Sequence, residues 1–247
     1  WPETGILEFL RWLPRELRIR GVEALTISEV IERHEPVDVY DIPPWDTISW
    51  ADVEKNVSAW LSSEFQVKAL QIYEELGMYA KAIGNPYLKH WRYFGISDSF
   101  YYMSTKGGSS GEVHIYFSPF KKGLEAYTSY LSLLMLLYSE VMKEYLDNIE
   151  KHSWNIRTTP KCSFKFKQGE KVVVEARSLS EVLRILKSTN EDITKTHILR
   201  GDLQRWIREV ILWEELAKTI DEAVKTSPES CVKEIIKIIE ETTPKEQ

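Results

Sequence analysis

Apolar residues along this chain recur mostly at helical spacing, with short stretches where the period changes. Ile6, Phe9, Leu10, Leu13 and Leu17 stand three or four apart, which predicts a helix over residues 5–19. Pro14 falls inside it and is expected to kink or divide it, since its ring nitrogen has no N–H for the preceding turn. Gly21 closes that helix, and residues 22–25 suit one short buried strand. Thr26-x-x-Glu29 then has capping-box spacing and should start a helix reaching about His34. This strand–helix alternation suits the end of a β/α architecture. Residues 35–50 carry Pro36, Pro43, Pro44 and Trp45 and read as extended.

Ser49-x-x-Asp52 is a box-like spacing that predicts the next helix start. Val53, Val57, Trp60, Leu61, Phe65, Ala69, Ile72, Tyr73 and Leu76 continue on one face, with a break expected near Gly77 or Gly84. Residues 97–120 form an aromatic loop rich in Tyr, Phe and Gly. Leu124, Tyr127, Leu131, Leu134, Met135, Tyr138, Val141, Met142 and Tyr145 mark a second long helix. Its middle is apolar nearly all round, which predicts a place at the centre of a helical bundle.

The pattern changes after His152. Residues 163–166 and 172–175 flank Gln168-Gly169-Glu170 and predict a β-hairpin. Ser178-x-x-Glu181 caps a helix to about Lys187, and residues 193–199 read as a third strand. Gly201-Asp202 starts a helix with Leu203, Trp206, Ile207 and Val210. A last helix after Pro228 carries Val232, Ile235, Ile236 and Ile239 on one face. The expected fold is mainly α with α+β parts.

Composition narrows the function classes. Hydrophobic content of 43% and charged content of 28% describe an ordinary globular chain. A net charge of −6 and a pI near 5.6 argue against a nucleic-acid or anionic-membrane surface. The longest apolar run, near residues 133–138, is too short to span a bilayer. Cys162 and Cys231 lack metal-ligand spacing and suit a reducing compartment, with a single bridge left open. Few Cys with many Lys, Glu and Ile fit the cytoplasm of a thermophile. No metal and no cofactor is expected.

Three ordered motifs carry a resemblance. Trp1-x-Glu3-Thr4-Gly5 precedes Phe9-Leu10, Ser49-Trp50-Ala51-Asp52 precedes Ser58-Ala59-Trp60-Leu61, and Ser97-Asp98 precedes Tyr101-Tyr102-Met103 and Gly111-Glu112-Val113-His114. Together they resemble family-57 glycoside hydrolases of the archaeal α-amylase type, over Trp1 to about Leu146. The resemblance implies the end of a β/α barrel and an extended linker over 1–48, and the cleft-completing helical domain over 49–150. A small α+β accessory module would fill 151–247. It also implies an α-glucan or maltooligosaccharide ligand and retaining chemistry, which needs two carboxyls about 5 Å apart. In the family these are a Glu and an Asp lying before the point equivalent to Trp1. No residue here is therefore expected to be catalytic, and a separate catalytic barrel chain or a homo-oligomer is an expected partner. The chain departs from the family pattern at Asn56 (usually Asp), Ser62-Ser63 (usually Gly-Asn) and Ser99 (usually His), which points to altered substrate handling or an inactive glucan-binding relative.

The expected substrate-binding residues are Trp50, Asp52, Trp60, Asp98, Tyr101, Tyr102 and His114. Aromatic faces suit the apolar C–H faces of a sugar ring, and carboxylates suit its hydroxyls. Each has a structural alternative. Asp52 with Ser49 suits a helix cap, Trp60 lies on an apolar helix face and suits the core, and His114 between apolar neighbours suits a satisfied structural role. Glu74-Glu75 and Glu214-Glu215 point to different sides of a helix and read as solvated faces.

Overall fold

The structure, a computed structural model, describes residues 2–51, 54–106 and 116–244. The chain divides into two units, residues 1–47 and 48–247.

The first unit holds α1 (Ile6–Ile19) and α2 (Ile27–Arg33). Pro14 does not divide α1. The turn before it is solvent-exposed, with Leu10 52% accessible, so water is at hand for the carbonyl that Pro14 cannot serve. The helix ends in a Schellman arrangement: Gly21 takes left-handed backbone geometry (φ 73°), and the Val22 N–H reaches the Leu17 carbonyl at 2.9 Å. The Thr26–Glu29 capping box forms as expected, with the Thr26 N–H 2.8 Å from Glu29 Oε2. No strand forms at residues 22–25, because a strand needs a neighbour to complete its ladder and this unit offers none among its described residues.

The second unit begins with a loop rather than the helix expected at Ser49. The Ser49 N–H donates to the Lys55 carbonyl (2.7 Å) and its hydroxyl to the Asn56 carbonyl (2.5 Å), which closes a turn. Helix formation waits until α3 (Ser58–Leu61), whose first N–H is taken by Asn56 Oδ1 at 2.9 Å. Ser63 and Gln66 then make a reciprocal capping box at the start of α4 (Glu64–Ile83). This helix passes through Gly77 and stops at Gly84. Gly77 leaves room for the Trp91 ring, whose nearest carbon lies 2.6 Å from where a Cβ would stand. α5 (Tyr87–Phe94) carries Trp91, and α6 (Ser97–Tyr101) turns the start of the aromatic stretch into helix.

α7 (Gly123–Asp147) buries Ala126, Tyr130, Leu134, Val141 and Tyr145, one stripe at helical spacing, against α4 and α5. It is not covered all round. Leu133, Met135 and Leu136 are 46–66% exposed, so the apolar middle forms one buried face and one open ridge. After the short α8 (Ile149–His152), β1 (Phe164–Gln168) and β2 (Lys171–Ala176) pair antiparallel as the hairpin pattern predicts, with Gly169 at φ 62° in the turn. α9 (Leu179–Ser188) follows its Ser178 cap. The expected third strand is instead α10 (Glu191–Leu199): Asn190 accepts from the Asp192 N–H at 2.8 Å, and Thr194, His197 and Ile198 fall on one buried face. A capped start and a three-to-four period outweighed the β-branched content.

α11 (Asp202–Trp206) runs into a π turn at Ile207–Ile211, ended by Leu212 at φ 64°. α12 (Glu214–Thr226) and α13 (Cys231–Glu241) complete the chain, with Val232, Ile235 and Ile239 buried on the expected face. One hydrophobic core runs through this unit from Ala69 to Ile239. Tyr79 on α4 and Tyr145 on α7 donate to the Val210 and Ile211 carbonyls, at 3.2 and 2.9 Å. These carbonyls end a turn whose own ladder stops at Leu212, so the tyrosines satisfy groups that the helix leaves open.

Candidate functional site

Three of the expected residues meet. Trp50, from the loop after residue 48, lies 5.9 Å from Trp60 on α3 and 6.1 Å from Tyr101 on α6, ring centre to ring centre. Trp60 and Tyr101 are 5.5 Å apart. Such spacings are favourable aromatic contacts. Ala51 and Ala59 are buried beneath the rings, and their small size lets the three elements approach. Tyr101 is 5% exposed and Trp60 half-buried, whereas Trp50 is 68% exposed and offers an open face.

One side chain holds this arrangement in place. Gln66 is fully buried, and its Oε1 accepts from the N–H groups of Ser62 (3.0 Å) and Ser63 (2.9 Å). Its Nε2 donates to the carbonyls of Ala59 (2.8 Å) and Phe100 (3.0 Å). It therefore ties α3, which carries Trp60, to α6, which carries Tyr101. Reading a single helix from residue 53 hid this role, although Ser63-x-x-Gln66 is a legible capping box. Ser62, Ser63 and Asn56, three of the departures from the family pattern, are all engaged at helix starts.

Polar groups stand beside the rings. Lys106 Nζ donates to Ser58 Oγ at 2.7 Å, on the first residue of α3, and is 3.1 Å from Glu54 Oε1. Its own backbone N–H, and then the Lys106 ammonium, hold the Glu54 carboxyl below the ordinary range, so the pair is charged at neutral pH. Asp98 is exposed in the first turn of α6. Tyr102 does not join the trio; it faces a groove between α5, α6 and α7. Asp52 and His114 lie outside the described residues. Glu75 accepts from the Tyr138 hydroxyl at 2.9 Å, and Glu214 pairs with Arg208 at 2.8 Å, so neither pair forms a dyad with its neighbour in sequence. Among the described residues no three His, Cys, Asp or Glu side chains converge as metal ligands would, and no helix is long and apolar enough to cross a membrane.

An open indole face backed by two fixed rings, with a charged pair and a carboxylate nearby, can hold a sugar ring and bond its hydroxyls.

The model for glycosyl hydrolase family 57 matches residues 1–43. The chain is 39% identical over 144 residues to a protein of Methanocaldococcus jannaschii described as "Putative alpha-amylase", a stretch covering 54% of this chain and 31% of that relative. The chain thus matches about a third of the relative's length. No solved structure matches. The chain is thus similar to glycosyl hydrolase family 57 at one end, and over more than half its length to a relative described as an α-amylase.

Proposed function

We propose that this chain shapes one wall of an α-glucan cleft of the α-amylase type. It is read as the part of a family-57 hydrolase or transferase that grips and orients the sugar chain. The nucleophile and acid/base carboxyls, about 5 Å apart in a retaining site, then come from family-57 sequence outside these residues, on the same polypeptide or on a partner barrel chain. The observation that carries the reading is the exposed Trp50 face set on Trp60 and Tyr101, contributed by the two motif segments that resemble the family's.

In this role Trp50 stacks on a glucosyl ring, Trp60 and Tyr101 fix its tilt, and Asp98 with the Lys106–Glu54 pair bonds hydroxyls. Holding the glycosidic bond in place lowers the entropic part of the barrier for carboxyls elsewhere. The apolar side chains left open on α1 and α2 fit burial against such a barrel.

Calorimetric titration with maltoheptaose tests the reading. Binding is expected, weakened at least tenfold by Trp50→Ala. No heat at millimolar ligand, or equal binding by the variant, overturns it. A second reading is a glucan-binding relative without activity, favoured by the helix-capping roles of Asn56, Ser62 and Ser63. Protein from its native source decides between them. A mass matching these 247 residues, no copurifying chain and no reducing sugar released from starch select the second reading.

A further inference from the structure

Tyr101 and Tyr102 are adjacent, yet they serve two surfaces. Tyr101 packs in the Trp50–Trp60 trio, while Tyr102 lines a groove of about 310 Å³ with Tyr93, Phe94, Phe120, Tyr130 and Leu133. We propose that this groove is a second sugar site, taking one or two glucosyl units of an α-glucan. The inference rests on the reading of the chain as α-glucan-binding.

The lining sets the ligand class. Among the described residues no charged side chain lines the groove, so a neutral ligand enters without leaving one of these unpaired. Its walls are five aromatic rings, and its polar groups are hydroxyls: the phenols of Tyr93 and Tyr102, with Ser99 and Ser129. Apolar faces with a few hydroxyl edges are what a hexose ring presents in return. The volume lies at the low end of the range of about 300–1,000 Å³ typical of ligand pockets, which suits a short saccharide. Tyr130 is committed elsewhere, donating to the Phe94 carbonyl at 3.2 Å, so it presents its face and not its hydroxyl. Ser99, standing where the resembling signature has His, adds only a hydroxymethyl to the lining and leaves the space open.

Continuity supports the same occupant. The groove and the trio share α6, with one backbone step between Tyr101 and Tyr102. On the proposal, a glucan long enough to pass from Trp50 across α6 meets both surfaces. Affinity should therefore rise with oligosaccharide length more steeply than one ring-stacking site provides.

The test compares the whole chain with Tyr93→Ala and Leu133→Trp, which alter exposed positions and leave the core intact, and with Trp50→Ala. Each is titrated with maltose, maltotriose and maltoheptaose, with folding followed by circular dichroism. The expected result is a loss of at least tenfold in maltoheptaose affinity for both groove variants and a flattened dependence on length. Wild-type affinity in both groove variants, with binding still lost in Trp50→Ala, overturns the second site and leaves the Trp50 reading standing. Binding lost in the groove variants but kept in Trp50→Ala supports the groove and overturns the Trp50 reading. No sugar binding, together with self-association that Leu133→Lys abolishes in sedimentation, shows the groove to be a contact between copies and overturns the proposal.

Discussion

Residues 3–47 and residues 48–247 are built from similar amino acids by different means. In the first unit no described side chain is buried, and α1 and α2 are defined by local devices: a Schellman end at Gly21, a capping box at Thr26 and i,i+4 contacts such as Trp12 with Glu8. In the second, a continuous core from Ala69 to Ile239 fixes where each helix lies. The family-model match falls wholly in the unit without a core. The longer likeness to the Methanocaldococcus relative, over 144 residues, exceeds that unit and so extends into the one with the core. Within the unit without a core, α1 leaves Leu7, Phe9, Leu10 and Trp12 about half or more exposed.

Substitutions should separate the two units sharply. Tyr145→Ala, at a fully buried ring, should cost about 3–5 kcal/mol in denaturant unfolding. A loss below about 1 kcal/mol there would mean that the core is not packed as described. Gln66→Ala should cost about 1–3 kcal/mol, because it strands the buried carbonyls of Ala59 and Phe100 and the part-buried N–H of Ser63. It should also weaken maltoheptaose binding, and Gln66→Glu should recover the cap but not the tie to α6. If Gln66→Ala binds normally, the trio does not depend on that tie.

A smaller effect is expected in acid. Glu181 accepts from the Arg177 N–H and from Arg157, both at 2.7 Å, and the backbone bond first and then Arg157 hold its carboxyl below the ordinary value of 4.5. The folded state thus releases this proton more readily than the unfolded one. Its stabilisation is complete above the ordinary carboxylate range and is lost as pH falls through the lowered value. Glu181→Gln should flatten that acid limb in thermal melts; an unchanged slope would remove the carboxylate from the account. The smallest effect belongs to the first unit. Leu10→Ala on exposed α1 should change unfolding of this chain by no more than about 0.5 kcal/mol. A loss as large as that of Tyr145→Ala would erase the contrast between the units.

What was legible in the sequence follows the same division. Thr26-x-x-Glu29, Ser178-x-x-Glu181 and the Gly169 turn specify structure within a few residues, and each formed as read. The stretch at 193–199 misled because Ile193, Thr194, Thr196 and Ile198 suit a strand, while Asn190 and the buried face at Thr194, His197 and Ile198 decided for helix. The helix expected from Ser49 failed because the Ser49 hydroxyl found a carbonyl seven residues ahead. The aromatic site was readable as a set of residue types but not as a geometry. Trp60 and Tyr101 are brought together by Gln66, and nothing local to either residue announces that.

The two hydroxyls that meet the π turn carry a consequence for alkaline solution. Burial pushes the phenols of Tyr79 and Tyr145 well above their ordinary value of 10, and burial with the Glu75 bond takes Tyr138 up to about 12. Ionising Tyr79 or Tyr145 would also delete the donor that serves Val210 or Ile211. The folded chain therefore resists losing these protons as pH rises past 10, while the unfolded chain yields them freely, so base draws the equilibrium toward unfolding. Absorbance of tyrosinate near the ultraviolet edge should rise in two stages, the second in one step together with loss of ellipticity. The second stage would make colour a direct reporter of the seam between the long helices and the turn they clasp.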